Sequence, residues 1–247
     1  MYQEHFKLRE APFSLTPDPD YFYNYTGHQQ ALNVLLVALQ SGEGLIKIVG
    51  EVGTGKTLLC RKLLAALASD FKATYLPNPL LTPFELYQAL AEELNIMVPQ
   101  GITMHDLVKR ITEQLVVLRK GDKKAVLCID EAQALPKESL EALRLLSNLE
   151  TEKHKLLQIV IFAQPELDAL LKNDNLRQLR QRITFSYDLP ALDRAAVSGY
   201  VHHRLTVAGH EGPRLFDEAA LDAVYRSSRG IPRLVNILCH KALMVAY

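Results

Sequence analysis

The sequence lacks an excess of charge of either sign, and it has few cysteines. Lysine and arginine together number 28, as do aspartate and glutamate. The chain therefore has no net electrostatic field that attracts nucleic acid or an anionic membrane, and binding of either would need a local basic patch. The three cysteines, Cys60, Cys128 and Cys239, lie far apart within apolar stretches. We interpret them as buried, reduced thiols, which is typical of a cytosolic protein.

Long apolar runs are also missing. No uninterrupted run approaches the ~18 residues of a membrane-spanning helix, and the first residues lack the basic-then-apolar profile of a signal peptide. The sequence therefore predicts a cytoplasmic chain. Because it stops at Tyr247 inside an apolar helical pattern, LVNILCHKALMVAY, with no glycine stop or polar cap, we expect the native protein to be longer.

What is present indicates a folded α/β protein with a helical appendage. With 247 residues, 48% hydrophobic and 23% charged, the chain can bury a core in one or two domains. Short apolar strands alternate with amphipathic helices, which favours a five-stranded, mainly parallel sheet sandwiched by helices. The predicted strands are residues 44–49, 72–76, 125–129, 156–163 and 183–187. The predicted helices are 28–40, 56–67, 83–94, 105–118, 136–149 and 166–171, followed by 194–207, 217–226 and 231–247.

We predict two domains, an α/β domain over residues 1–190 and a small helical lid over 191–247. The leader before residue 28 is rich in proline, aspartate and aromatic residues (APFSLTPDPDYFYNYTG), a composition that favours turns. We expect it to be ordered rather than a flexible tail, because its aromatic side chains need burial. These are Phe6, Phe13, Tyr21, Phe22 and Tyr23.

A glycine-rich loop between the first predicted strand and the next helix carries the strongest chemical signal. It matches G-x-x-x-x-G-K-[ST] in full, a pattern whose glycines let main-chain N–H groups curl around phosphates at a helix N-terminus. The lysine would meet the β and γ phosphates, and the threonine hydroxyl offers a ligand to Mg²⁺. An ordinary glycine turn is the alternative. The candidate nucleotide-binding residues are Gly50, Glu51, Val52, Gly53, Thr54, Gly55, Lys56, Thr57 and Leu58.

A second signal is the acidic pair that ends the apolar strand 125–129. Acidic residues at the carboxyl end of a buried strand face the crevice where α/β sheets bind ligands. Asp130 would hold magnesium, and Glu131 would accept a proton from, or orient, the water that attacks the γ phosphate. Alone, such a pair is more often a helix cap or a solvated turn than a catalytic site.

These motifs together resemble those of the AAA+ ATPases of the general secretion pathway protein A (ExeA) type, which are P-loop nucleoside triphosphatases. The resemblance rests on GEVGTGKT with CIDEAQ, the opening MYQEHFKLREAPFSLTPDPDYFY, and the later IFAQPEL and GIPRLVN. The segment LPNPLLTP looks similar to that of the ATPases of mannose-sensitive haemagglutinin (MSHA) type IV pilus biogenesis. The resemblance implies ATP and Mg²⁺ as cofactors, a nucleotide-dependent homo-oligomer in a ring or filament, and work on pilus or secretion components at the bacterial inner membrane. Membrane contact would come through partners or a further C-terminal segment.

The resemblance also implies roles for residues outside the two motifs. Gln164 looks like the polar sensor that positions the attacking water, and Arg233 like the second sensor, which couples the lid to the γ phosphate. Arg182 resembles an arginine finger given to a neighbouring subunit, with Arg180 as the reserve. Each has a plain alternative: a turn-forming glutamine, a solvated helix arginine, and a basic helix face that contacts solvent, nucleic acid or acidic lipid.

Aromatic residues of the leader are candidates for the adenine pocket. In the family the leader packs beside the nucleotide, so Tyr21, Phe22 and His28 could line the base, although core packing explains them equally. The functional alternatives are a DNA-dependent ATPase similar to transposition helpers and origin-recognition proteins, and a nucleotide-binding switch with negligible turnover. The charge balance and the lack of a winged-helix pattern count against nucleic acid without excluding it.

Overall fold

A computed structural model describes residues 2–16, 18–77 and 79–247. The five strands are β1 (Leu45–Val49), β2 (Phe71–Leu76), β3 (Lys124–Ile129), β4 (Leu157–Ala163) and β5 (Phe185–Asp188). The helices are α1 (Tyr2–His5), α2 (Thr26–Ser41), α3 (Lys56–Ala66), α4 (Pro83–Glu93), α5 (Met104–Lys120), α6 (Lys137–Leu146), α7 (Glu166–Leu171), α8 (Arg177–Arg182), α9 (Arg194–Val207), α10 (Glu218–Ser228) and α11 (Pro232–Ala246). Short 3₁₀ turns lie at Pro19–Tyr21, Ala132–Ala134 and Asp174–Leu176.

The strands form one parallel sheet in the order β2-β3-β4-β1-β5. Val49 of β1 pairs with Ala163 of β4, and Ile129 of β3 pairs with Ile161 of β4. The carboxyl ends of the three central strands therefore lie at the same edge of the sheet. The loops that follow these strands in the chain therefore begin at that edge, which is where α/β sheets bind ligands.

Burial on both faces explains why β1 and β4 are strands without an apolar–polar alternation. Every residue of β1 and β4 is buried, as expected where helices cover both sides of a parallel sheet. Leu127 and Ile159, both fully buried, belong to a core shared with helices α4, α5, α6 and α7. Thr82 and Thr103 cap the starts of α4 and α5 by accepting main-chain N–H groups, which fixes where those helices begin.

The chain separates into two compact units. The first contains the residues up to Gln30, Gly50–Arg61 and Leu189–Tyr247, and the second contains Ala31–Val49 and Lys62–Asp188. The sheet lies in the second unit. The predicted domain bounds, 1–190 and 191–247, remain a proposal.

The leader packs into the core of the first unit, as its aromatic composition predicts. Phe13 and Tyr21 are buried against residues of α9 and the C-terminal helices. The buried guanidinium of Arg204 donates to the carbonyls of Pro12 and Ser14 and lies 4.4 Å from the ring centre of Tyr21. Cation–π contact and main-chain bonds satisfy this buried charge.

Most predicted elements are found, and the differences are local. The predicted helix 136–149 ends at Leu146, and the predicted strand 183–187 starts at Phe185. The turn-rich leader contains a one-turn helix, α1, which its composition did not indicate. Met1, Pro17 and Asn78 lie outside the described residues, so parts of the leader and of the LPNPLLTP segment stay predictions.

Two further expectations concern the cysteines and the membrane. Cys60, Cys128 and Cys239 are free and buried, as predicted. Burial raises the pKa of the Cys239 thiol to about 12, so it remains protonated at neutral pH. Among the described residues, no helix combines the length and the apolar character needed to cross a membrane.

Candidate nucleotide-binding and hydrolysis residues

The glycine loop follows the last residue of β1 directly and leads into α3. Gly53 and Gly55 have φ angles of 83° and 98°, which residues with a side chain rarely adopt. A Cβ atom at Gly53 would lie 2.5 Å from Cβ of Arg233, and one at Gly55 would lie 2.9 Å from Nε2 of His28. Both conformation and space therefore require glycine at these positions.

Lys56 is buried within the loop. Its ammonium Nζ donates to the carbonyls of Gly50, at 2.8 Å, and Glu51, at 3.0 Å. The hydroxyl of Thr54 also donates to the Glu51 carbonyl, at 2.8 Å. A buried cation, positive-φ glycines and the start of an 11-residue helix together make a surface that fits a phosphate chain.

The start of α11 is bonded to this loop. The main-chain N–H of Arg233 donates to the carbonyl of Gly53, at 3.2 Å. Pro232 occupies the first position of the helix, where a missing N–H costs nothing. The predicted second sensor is therefore next to the phosphate-binding loop, with its side chain exposed.

His28, predicted to lie near adenine, contacts the loop main chain. Its Nε2 lies 2.9 Å from the Thr54 carbonyl, and because a carbonyl only accepts, Nε2 carries the hydrogen. Nδ1 is buried and has no hydrogen-bond partner among the described residues. Burial lowers the pKa of His28, and the bond to Thr54 opposes this only in part.

The two other adenine candidates are placed differently. Phe22 lies edge-on to His28, with ring centroids 5.9 Å apart. Tyr21 is buried beneath Arg204, and its hydroxyl donates to Glu10 at 2.8 Å. Phe22 and His28 thus lie together near the loop, whereas the contacts of Tyr21 are those of a core residue. Their roles toward a base stay predictions.

The acidic pair ends β3 in a tight turn. Asp130 is buried, and its Oδ1 accepts the main-chain N–H of Glu131 at 2.9 Å. Glu131 adopts the left-handed conformation, with φ 51° and ψ 38°, which is uncommon for a residue other than glycine. The Asp130 carboxylate, like the Thr57 hydroxyl of the other unit, is a hard oxygen donor of the kind that suits Mg²⁺. Their joint binding of the ion stays a prediction.

Two glutamine amides hold the Glu131 carboxylate. Gln164, which follows β4, donates to Oε2 of Glu131 at 2.8 Å, and Gln133 donates to the same oxygen. The Oε1 atom of Gln133 accepts the main-chain N–H of Gln164 at 3.0 Å. The predicted sensor therefore contacts the carboxylate that is predicted to accept a proton from, or orient, the attacking water. Gln133 was missed, although it stands in the CIDEAQ run two residues after Glu131.

The candidate arginine fingers lie at the other edge of the sheet. Arg180 and Arg182 are exposed near the end of α8, three to five residues before β5 begins. Arg182 borders a cavity of about 320 Å³ that also touches Gly44 and Thr184, at the amino ends of β1 and β5. The structure does not bring Arg182 together with Glu131, because a five-residue strand separates the edges by roughly 16 Å.

The parallel sheet, the glycine loop and the acidic turn define a P-loop nucleotide-binding protein with an AAA fold. Residues 39–171 match the AAA domain family, and the chain belongs to that family. It is 42% identical over its full length to General secretion pathway protein A of Aeromonas hydrophila, and it spans 45% of that relative. The expectation of this type of AAA ATPase is thereby confirmed.

Three solved structures of archaeal proteins have a similar fold. CDC6P from Pyrobaculum aerophilum has a TM-score of 0.72 at 19% identity, covering 95% of this chain and 65% of that one. The Aeropyrum pernix ORC1 protein in complex with DNA has a TM-score of 0.70 at 20% identity, covering 97% and 64%. The A. pernix ORC2 protein in its ADPNP-ADP complexes has a TM-score of 0.63 at 17% identity, covering 90% and 65%. These similarities show the fold alone.

The contact between His28 and the loop leads to a prediction about acid stability. The pKa of His28 in the folded protein lies below its value of about 6.5 in an unfolded chain, so acid protonates the unfolded state first. The free energy of unfolding should therefore decrease as pH falls from 6.5 through the folded pKa. His28→Gln keeps an N–H donor without a titrating group, and we expect a smaller loss of stability in urea unfolding between pH 7.5 and pH 5.

His105→Gln, on the exposed side of α5, is the matched control and should keep the wild-type pH dependence. An unchanged pH dependence in His28→Gln would show that the imidazole is not held neutral in the folded protein.

Proposed function

We propose that this chain binds and hydrolyses ATP, as the motor part of a protein that assembles or remodels a machine related to type II secretion or type IV pili. The observation that carries the proposal is the loop 50–57, with its buried ammonium and two positive-φ glycines. Membership of the AAA domain family supports it. So does the ORC2 protein of similar fold, whose structure contains ADPNP and ADP.

Each residue has a role in this proposal. Gly50–Leu58 hold the phosphates, with Lys56 neutralising charge on the β and γ groups. Thr57 and Asp130 hold Mg²⁺, which would draw charge from the phosphate oxygens. Glu131 orients the attacking water and accepts its proton, a role that typically contributes about 10²- to 10⁴-fold in rate. Gln164 keeps Glu131 in place, and Arg233 connects the loop to α11.

The position of Arg182 supports action between subunits. It lies at the sheet edge opposite Glu131, so it would serve the nucleotide of a neighbouring copy in a ring or filament. Arg182 is also close enough to Glu150 to lower that carboxyl's pKa, after the larger effect of the Glu150–Lys155 ion pair. An arginine finger of this kind contributes about 10³- to 10⁵-fold.

The partners are proposed from the relative rather than from the site. The name of the Aeromonas protein points to general secretion, and LPNPLLTP favours MSHA pilus biogenesis within that group. We propose action at the cytoplasmic face of the bacterial inner membrane, on protein components of such an apparatus. Because the chain spans less than half of that relative, the activity of the whole protein is part of this proposal.

A DNA-dependent ATPase is the second candidate. The fold similarity to an ORC1 protein bound to DNA favours it, whereas the balance of 28 basic and 28 acidic residues does not. We expect fluorescence anisotropy to show no binding of duplex DNA by the chain at about 50 mM and about 150 mM salt. Salt-sensitive binding of DNA that also stimulates ATP hydrolysis would favour this function over a role in secretion.

Two substitutions separate nucleotide binding from hydrolysis. Lys56→Ala removes the buried ammonium, and we expect loss of nucleotide binding in a fluorescent-ATP titration. Glu131→Gln keeps the size and the polarity of the side chain but removes its basicity. We expect it to bind ATP normally and to lose about 10²- to 10⁴-fold in kcat.

Lys62→Ala serves as the control, because this half-buried lysine is one and a half turns along α3 and outside the motif. It should bind and hydrolyse like wild type. Normal turnover in either test variant would refute the proposed chemistry.

A mixing experiment tests the arginine. Arg182→Ala protein should hydrolyse ATP slowly alone, since its neighbours lack the finger. Mixed with Lys56→Ala protein, the Arg182→Ala protein should regain part of its turnover. In a mixed assembly the Arg182→Ala subunit binds ATP, and the neighbouring Lys56→Ala subunit, which binds none, supplies Arg182.

Arg180→Ala, mixed in the same way, distinguishes the two arginines. If Arg182→Ala shows no recovery while light scattering reports intact assembly, Arg182 is not shared between subunits.

A further inference from the structure

Both glutamine amides at the acidic turn donate to one oxygen of Glu131. Gln133 and Gln164 meet Oε2, and no hydrogen bond to Oε1 is found within residues 2–16, 18–77 and 79–247. Two donors on one oxygen fix the carboxylate plane and leave the other oxygen able to accept from water. The carboxylate is thus anchored on one side and open on the other.

Gln133 connects two strand ends with a single side chain. Its amide nitrogen meets the Glu131 carboxylate, which only accepts, and its amide oxygen meets the main-chain N–H of Gln164, which only donates. One assignment of the amide satisfies both contacts, and the reverse satisfies neither. An amide is therefore the group required here, and a carboxylate or an apolar side chain cannot replace it.

The turn around Glu131 needs such a support. Its φ of 51° is disfavoured for a residue with a side chain, and the 3₁₀ turn Ala132–Ala134 starts immediately after it. By bonding to the residue that follows β4, Gln133 ties this turn to the centre of the sheet. Gln164 alone could hold the carboxylate, but it would then lack the bond that fixes its own main chain.

We propose that Gln133 is a positioning residue for hydrolysis: it anchors Oε2 of Glu131 and aligns Gln164, so that Oε1 stays available to the attacking water. This inference rests on the proposed function. It adds to that function a residue whose hydrogen bonds go to Glu131 and Gln164.

The test is Gln133→Glu, a change of one atom. The new carboxylate can still accept from the N–H of Gln164, but it places an oxygen against Glu131 where a donor stood. We expect kcat for ATP to fall about tenfold to 100-fold, which is less than the about 10²- to 10⁴-fold that a general base itself contributes. The dissociation constant for a fluorescent ATP analogue should stay within about twofold of wild type, because the hydrogen bonds of Gln133 go to Glu131 and Gln164 and not to a residue of the loop 50–57.

Gln88→Glu is the matched control. Gln88 also donates from its amide to a glutamate, Glu92, at 3.1 Å, on the surface of α4. Gln88→Glu places two carboxylates side by side, as Gln133→Glu does, but outside the candidate site. We therefore expect a wild-type kcat. Gln133→Ala removes both bonds without adding charge, and it provides the test should Gln133→Glu fail to fold; we expect a loss of about threefold to tenfold in kcat.

The outcomes separate this inference from the proposed function. A fall in kcat at Gln133 with unchanged nucleotide affinity supports the positioning role. Wild-type kcat in folded Gln133→Glu or Gln133→Ala, or an equal weakening of nucleotide binding, overturns that role and leaves the ATPase in place. Wild-type protein with no turnover above Lys56→Ala overturns both.

Discussion

The structure depends most on how the main chain of residues 50–57 surrounds the Lys56 ammonium. A buried charge is costly unless polar groups replace its water, and here the carbonyls of Gly50 and Glu51 do so. Turning those carbonyls toward the cation requires sharp reversals of the chain. Gly53 and Gly55 supply them with positive φ angles. The loop's shape thus follows from solvating one cation, and that shape suits a phosphate chain.

Segments distant in sequence support this loop from two sides. His28, in α2, donates to the Thr54 carbonyl, and the first turn of α11 donates from Arg233 to the Gly53 carbonyl. Both bonds use carbonyls of the loop rather than its N–H groups, which are the groups that bind an anion. A ligand changes a conformational equilibrium only through contacts that differ between states. The Gly53–Arg233 bond is a direct route by which a change in the loop would reach α11.

Sequence reasoning found the elements and motifs but not the pairings between side chains. The apolar runs of β1 and β4 are clear because both of their faces are buried, and the full match to the glycine motif marks the position of the loop. Gln133 was missed because its role depends on Gln164, 31 residues away, and on a left-handed turn at Glu131. Neither the contact nor the conformation has a signature in one sequence. His28 was singled out, but its partner proved to be a main-chain carbonyl, which no residue pattern reveals.

The parallel sheet also gives a geometric reason why ATP hydrolysis would depend on self-association. Parallel strands place all their carboxyl ends at one edge, where Glu131 and Gln164 lie, and all their amino ends at the other, where Arg182 lies. No side chain spans a five-residue strand, since an extended arginine reaches less than about half of roughly 16 Å. If the nucleotide lies at the carboxyl edge, as we propose, an arginine at the amino edge acts only on a nucleotide of another copy. If Arg182 is the arginine finger, hydrolysis requires assembly, and a single subunit binds ATP without hydrolysing it.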